Sequence, residues 1–221
     1  FFYCFGCHKG GTVFNFIMDV ENLSFTEAVE FLGRKVGIQV TRENAETSEK
    51  EKTKDAMREL FRRVSGSYHY LLTESQAGAK ALAYLQNRKL DKDIMERFLI
   101  GYAPADPFWL HGFLEKKNYS NDFLRSTGLF TGKNPRRSFF VNRVMFPILS
   151  SRGDVIAFGG RLLDGDGPKY LNSAESDLYR KSENLYGLFQ AKEAIRKAKT
   201  VVLVEGYMDV VALHQAGIEN A

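Results

Sequence analysis

Cysteine is scarce in this chain: two among 221 residues, both inside Cys4-Phe5-Gly6-Cys7. That rules out a disulfide framework and points the pair toward metal or redox chemistry. Long apolar runs are also missing, with no stretch approaching 18 uninterrupted apolar residues, and the N-terminus carries no charged-then-apolar leader. Neither a membrane span nor secretion is supported, so the cytoplasm is the expected location. Charge of one sign is lacking as well, since 31 Lys and Arg offset 27 Asp and Glu for a net +4. That balance suits a polyanionic partner without demanding one. What the chain does have, 44% apolar and 13% aromatic residues, supplies globular cores for one large domain or two small ones.

The most chemically suggestive stretch lies near the C-terminus, in Val201-Val202-Leu203-Val204-Glu205-Gly206-Tyr207-Met208-Asp209. Four consecutive apolar residues predict a strand buried on both faces, and Gly206 predicts a sharp turn into a helix over Met208 to Gln215. Glu205 then sits at the carboxyl end of a strand, with Asp209 one helical turn on. Open α/β sheets build ligand sites at that edge, and an acid pair there suits a divalent cation or a reacting proton. The chain starts at Phe1 rather than Met and stops soon after this strand and helix. A lone strand-helix pair cannot bury both faces of a sheet, so a fragment cut inside a domain at each end is expected.

At the other end, Tyr3-Cys4-Phe5-Gly6-Cys7-His8-Lys9-Gly10-Gly11 predicts a tight knuckle between a short aromatic strand and a helix. Two thiolates at this spacing suit one tetrahedral zinc ion, which needs four ligands. His8 abuts Cys7, too close for the usual spacing of zinc ligands, and is expected to face solvent or phosphate. A redox role would have the helix open inside the motif, whereas Gly10-Gly11 intervene. Ser24-Phe25-Thr26-Glu27 forms a capping box that starts a helix with Phe25, Ala28, Val29, Leu32 and Val36 on one face. The stretch from Thr41 to Asp55 is charged, almost without apolar residues, and predicts a linker, in part helical.

Met57, Leu60, Phe61, Val64, Tyr68, Leu71 and Leu72 recur at three- and four-residue steps and predict a long amphipathic helix. Shorter helices are expected over 77–87, 94–99, 108–117 and 121–125. Beyond Phe139 the pattern turns to β, with Val144 to Leu149 and Val155 to Leu163 predicting a hairpin through Ser150 to Asp154. Pro147 argues for an edge strand or one that starts after a bulge, and Gly159-Gly160 mark a place where something else comes close, such as a nucleic-acid backbone or another strand. Asp164-Gly165-Asp166-Gly167 lacks the later ligands of a calcium loop and predicts a turn. Arg143, Arg161, Lys169 and Lys181 are spread through segments that should lie side by side, with Tyr170 and Tyr179 as stacking surfaces.

Three strings, in order, carry a resemblance to a known family. EGYMDVVALHQAGI resembles the first motif of the Toprim domain in bacterial replicative DNA primases of the DnaG family. YCFGCHKGGTVFNFIMDVENLSFTEAVEFL resembles the C-terminal half of their zinc ribbon, and VNRVMFPI with AFGGRLLDGDGPKYLNSAESDLYRKSENLYGL resembles their basic block. YLQNRKL and ERFLIGYAP resemble the helical start of the polymerase domain, with Lys89 standing where a glycine is common.

The resemblance implies an α+β, multi-domain fragment. Residues 1–40 would be the C-terminal half of a zinc-binding domain, 41–55 a linker, 56–198 a helical and antiparallel-β polymerase subdomain, and 199–221 the first βα unit of a Toprim fold. It implies RNA-primer synthesis on single-stranded DNA from ribonucleoside triphosphates, with a replicative helicase and a single-strand binding protein as partners. Cys4 and Cys7 would bind zinc, and Glu205 and Asp209 magnesium or manganese, with Glu205 also a candidate proton acceptor. Arg88, Arg143, Arg161, Lys169 and Lys181 would face template and nucleotide, with Asn172 and Ser173 adding neutral phosphate contacts. Family ligands outside these residues, a Cys-x-x-His pair and an Asp-x-Asp pair, would complete both metal sites, so the fragment alone should be inactive. Two rivals are another Toprim enzyme, such as a topoisomerase or nuclease, and a non-catalytic zinc-knuckle module that binds single strands.

Overall fold

The computed structural model of the chain describes residues 1–38, 40, 45–117 and 119–221. Two compact units emerge, Phe1–Thr53 and Lys54–Ala221. In the first, β1 (Phe2–Tyr3) pairs antiparallel with β2 (Gly10–Gly11), and the two-cysteine knuckle forms the turn between them. Helix α1 (Val13–Glu21) starts where Asn15 accepts hydrogen bonds from the Thr12 backbone and hydroxyl, and it stops at Asn22 in the left-handed conformation. Helix α2 (Phe25–Lys35) opens on the capping box that its sequence announces, the Ser24 backbone donating to Glu27 Oε2 at 2.9 Å. Its apolar stripe is covered only in part. Ala28 is fully buried, whereas Phe25 is 59% and Val36 68% exposed, because a unit this small has too few elements to cover a whole helix face.

Helix α3 (Ala45–Thr73) takes in most of the stretch read as a linker. Glu49–Lys52 and Asp55–Arg58 pairs, each three residues apart, support helix instead of coil here. The remainder of that linker, 41–44, lies outside the described residues. A 3₁₀ turn (Gln76–Gly78) leads to α4 (Ala79–Asn87), α5 (Lys92–Arg97) and β3 (Gly101–Ala103). Then come α6 (Trp109–Glu115), α7 (Asn121–Ser126), and a small ribbon of β4 (Phe130–Thr131) with β5 (Asn134–Ser138) that starts ahead of the expected switch to strands. β6 (Arg143–Leu149) and β7 (Val155–Leu162) form the expected hairpin, closed by Ser150 donating to the Asp154 carbonyl at 2.9 Å. β8 (Tyr170–Asn172), a 3₁₀ turn (Lys181–Glu183), α8 (Leu188–Ala198) and α9 (Tyr207–Gln215) complete the chain.

The four-stranded sheet runs β3-β6-β7-β8, antiparallel throughout. β6 is an inner strand, so of the two alternatives that Pro147 raises the edge strand does not hold. Its partner β3 ends opposite Met145, so no ladder bond is asked of the proline on that side. Successive strand residues face opposite sides, and both sides are covered. Met145 and Phe158 pack with Phe61, Val64 and Tyr68 of α3 and with Leu110 of α6. Val144 and Phe146 pack with Leu85 of α4, Met95 of α5 and Val211 of α9. Each fully buried large side chain of this kind contributes about 1.5–3 kcal/mol.

Residues 201–204 do not form the buried strand their sequence predicts. None pairs in a ladder with any described residue, and Val201 and Leu203 are 57% and 75% exposed. A strand is defined by its neighbour, and here the Asn220 carbonyl accepts from the Val202 N–H at 2.8 Å without a ladder to extend it among the described residues. Among the described residues no helix is long and apolar enough to cross a membrane.

Candidate nucleic-acid and metal sites

Arg161 lies on β7 directly opposite Val144, and so on the sheet face covered by α4 and α9. Its guanidinium stacks over the ring of Tyr84 on α4, 4.3 Å from the centroid. Arg88, one helical turn after Tyr84, stacks over the same ring at 5.1 Å. Two residues picked from separate strings thus meet on one tyrosine. The turn that presents Arg88 continues through Lys89 at φ 61°, a left-handed conformation that explains why glycine suits this position. Tyr170 on β8 is paired with Arg161, and its neighbour Lys169 is held by its carbonyl accepting from Leu162 at 2.8 Å. Both Lys169 and Tyr170 are exposed.

The other basic candidates separate from this group. Arg143 faces the opposite side of the sheet, one residue out of phase with Val144, and is only 4% exposed. Its guanidinium donates to the carbonyls of Gly160 and Pro168, each at 3.0 Å, and burial lowers its pKa. Arg143 therefore anchors the 164–169 turn from beneath. Lys181 is exposed at the start of its 3₁₀ turn, its backbone N–H donating to Glu175, and it takes no part in the group around Tyr84.

Several neutral residues are also committed inward. Tyr179 is 3% exposed and packs with Ile148 and Ile156, so it offers no stacking surface. Asn172 accepts from the Tyr207 hydroxyl at 2.7 Å, and the Ser173 hydroxyl accepts from the Phe158 N–H at 3.0 Å. The close approach expected at Gly159-Gly160 is present, and aromatic rings make it. A Cβ on Gly159 would fall 2.4 Å from the Tyr207 ring, and one on Gly160 would fall 2.7 Å from Phe140.

Tyr207 is the residue that sequence reasoning passed over inside its own motif. Its ring stacks on Phe146 at 5.4 Å and meets Tyr186 edge-on at 4.7 Å. Burial raises its phenol well above the ordinary value, so it remains a neutral donor to Asn172. Through this contact the sheet fixes the start of α9, and with it Glu205 and Asp209. The signal available in the sequence was the Gly159-Gly160 pair, which required a large neighbour.

Glu205 and Asp209 are both exposed, at the N-terminal end of α9. Gly206 precedes the helix in ordinary extended conformation, so its role is space and not backbone freedom. A Cβ there would lie 2.8 Å from Asp209 Oδ2, which means that the missing side chain makes room for the folded-back carboxylate. Neither acid pairs with a cation among the described residues, and the helix dipole favours negative charge at this end. These two open carboxylates fit part of a hard-cation site.

In the knuckle, Cys4 and Cys7 are exposed and free. The backbone N–H groups of Cys7 and then Gly6, followed by the Cys7 thiol, pull the Cys4 pKa below that of a free thiol, toward the thiolate that metals bind. His8 is occupied otherwise, its Nδ1 lying 3.0 Å from the Tyr3 hydroxyl. The two thiols fit half of a tetrahedral zinc site. Among the described residues no group of three or more His, Cys, Asp or Glu gathers at either place.

The architecture is thus that of an α+β module in which a tyrosine on α4 is clasped by one arginine from its own helix end and one from the sheet, with a second helix headed by two acids and a separate cysteine knuckle. A family model described as DNA primase catalytic core, N-terminal domain, matches residues 68–192, and one described as CHC2 zinc finger matches residues 1–48. DNA primase of Treponema pallidum is 40% identical over the whole of this chain, which spans 37% of that relative's length; for DNA primase of Geobacillus stearothermophilus the figures are 40% and 38%. The zinc-binding and RNA polymerase domains of Aquifex aeolicus primase match 99% of this chain and 52% of theirs, at 33% identity and TM-score 0.69. The chain belongs to the DnaG family of bacterial DNA primases.

Proposed function

We propose that this chain serves in template-directed synthesis of RNA primers on single-stranded DNA, as a nucleotidyltransferase of the DNA-directed RNA polymerase class. The observation that carries the reading is the meeting of Arg88 and Arg161 on Tyr84, next to exposed Lys169 and Tyr170. A solved DnaG primase catalytic domain bound to single-stranded DNA, 35% identical with TM-score 0.71, matches 77% of this chain and 56% of its own, and supports the same partner. Cationic groups set beside an exposed aromatic ring suit a flexible single strand, whose phosphates take charge and whose bases stack. Such contacts carry no sequence information, so choice of a start site falls to another module, for which the cysteine knuckle is the candidate.

The reaction is attack of a primer 3′-hydroxyl on the α-phosphate of a bound ribonucleotide, with release of pyrophosphate. Glu205 and Asp209 would hold magnesium or manganese, which supplies charge stabilisation and a lowered pKa for the attacking hydroxyl. In this reading Glu205 would also accept the proton. Lys169 and Lys181 are the exposed cations for triphosphate and template, while Arg143 acts from beneath by holding the Lys169 turn in place. Zinc bound by Cys4 and Cys7 would order the knuckle. The division into a zinc-binding part (1–40), a linker (41–55), a polymerase subdomain (56–198) and the start of a Toprim unit (199–221) belongs to the same reading. So do a replicative helicase, a single-strand binding protein and a cytoplasmic site of action.

The test is fluorescence anisotropy of a labelled oligothymidylate with Arg161→Ala and Lys169→Ala. Each should weaken binding several-fold and lower the slope of log K against log salt by about one. Unchanged affinity and slope in both variants would remove this surface from the template path.

A further inference from the structure

Tyr84 opens the string YLQNRKL, which gives it no role of its own, yet the basic surface is assembled on it. Arg88 reaches it from one helical turn away on the same chain segment, and Arg161 from the middle of the sheet. The two guanidiniums, at 5.1 Å and 4.3 Å from one centroid, lie no farther apart than those two distances combined. Like charges this close repel, and among the described residues neither arginine pairs with a carboxylate to offset it. The aromatic face does so in part, through its quadrupole. Burial raises the Tyr84 phenol above its ordinary value and outweighs the opposing pull of Arg161 and Arg88. At neutral pH the ring is therefore uncharged and leaves the full positive charge of both arginines available to a polyanion.

We infer that Tyr84 is a positioning residue whose ring holds Arg88 and Arg161 as one preassembled clamp for the phosphodiester backbone of a single strand. The inference rests on the template-binding reading given above. Holding two long side chains in place before the ligand arrives removes an ordering cost that would otherwise be met on binding. The ring supplies geometry, and the arginines supply the charge.

Anisotropy titrations of the purified chain with a labelled oligothymidylate, over a series of salt concentrations, test this. Tyr84→Leu keeps apolar bulk without a π face and should weaken binding roughly 3- to 30-fold, the range that corresponds to ordinary cation–π energies. The salt slope should fall by about one, because a loosened arginine releases fewer counterions. Tyr84→Phe restores the ring and should restore both readouts. Pentafluorophenylalanine at position 84 keeps the ring's shape and reverses its quadrupole, so it tests the same point should the leucine variant fold poorly, and it should weaken binding as leucine does. Wild-type affinity and slope with pentafluorophenylalanine, or with a folded leucine variant, would overturn the proposal. Arg88→Ala and Arg161→Ala separate the two levels. If they weaken binding while the ring variants do not, only the positioning role falls; if they too leave binding unchanged, the template-binding reading falls with it.

Discussion

Replacing Gly159 with alanine adds one methyl group, and the structure fixes the sign of its effect. A glycine inside a strand ordinarily costs about 0.5–1 kcal/mol relative to alanine, so a generic Gly→Ala change in β7 should stabilise. Here the added Cβ would stand 2.4 Å and 2.6 Å from two carbons of the Tyr207 ring. The ring cannot simply move aside, since it stacks on Phe146, abuts Tyr186 and donates to Asn172. Overpacking of this kind costs about 1–3 kcal/mol. For a protein of this size that corresponds to a melting temperature lower by roughly 2–10 °C. Calorimetry or circular-dichroism melts measure it directly. In a Tyr207→Leu background most of the cost of Gly159→Ala should vanish, a coupling on the order of 1–3 kcal/mol. A Gly159→Ala variant that melts at or above the wild-type temperature would refute the close approach of α9 to the sheet.

Other perturbations probe separate parts of the account. Arg143→Met keeps the apolar stem and removes the donors to Gly160 and Pro168; it should cost about 1–3 kcal/mol in a denaturant titration, more than Arg161→Met, whose side chain contacts solvent. Hydrogen bonds from Arg62 and then Arg63 hold the Glu59 carboxyl down to about 2, from an ordinary 4.5. A depressed folded-state value stabilises above the unfolded value and is lost as pH falls through the folded one. Glu59→Gln should therefore lower the melting temperature slightly at pH 6, by an amount equivalent to under about 1 kcal/mol for so exposed a group, and the gap should close between about pH 4.5 and pH 2. An undiminished gap at pH 2 would remove the ion pairs as its source.

Much of this architecture was legible from periodicity and turn chemistry. The helical stripe from Met57 to Leu72, the Ser24–Glu27 cap and the hairpin through Ser150 to Asp154 all follow from local rules that tertiary packing did not override. Where the reading failed, the deciding information was non-local. Val201 to Val204 have the composition of a buried strand, yet pairing depends on a neighbour that composition cannot supply. Arg143 and Arg161 look equivalent as basic residues near one hairpin, but strand alternation and the β6–β7 register put them on opposite faces, one spent on carbonyls and the other on Tyr84. Tyr179 and Tyr170 separate in the same way, by burial. Tyr84 and Tyr207 were not singled out within their strings, because what matters about each is a non-local contact, Arg161 on the one ring and Gly159 under the other.

The central claim, that Glu205 and Asp209 serve nucleotidyl transfer while the arginine-clasped surface holds the template, is tested most directly in an active enzyme. The 221 residues can replace the matching segment of the Geobacillus stearothermophilus primase, to which they are 40% identical. Primer synthesis on single-stranded DNA with magnesium is then measured with and without Glu205→Gln. The account predicts that the chimera makes primers, that Glu205→Gln abolishes synthesis, and that template affinity stays within a few-fold. Full synthesis by the Glu205→Gln chimera would contradict it.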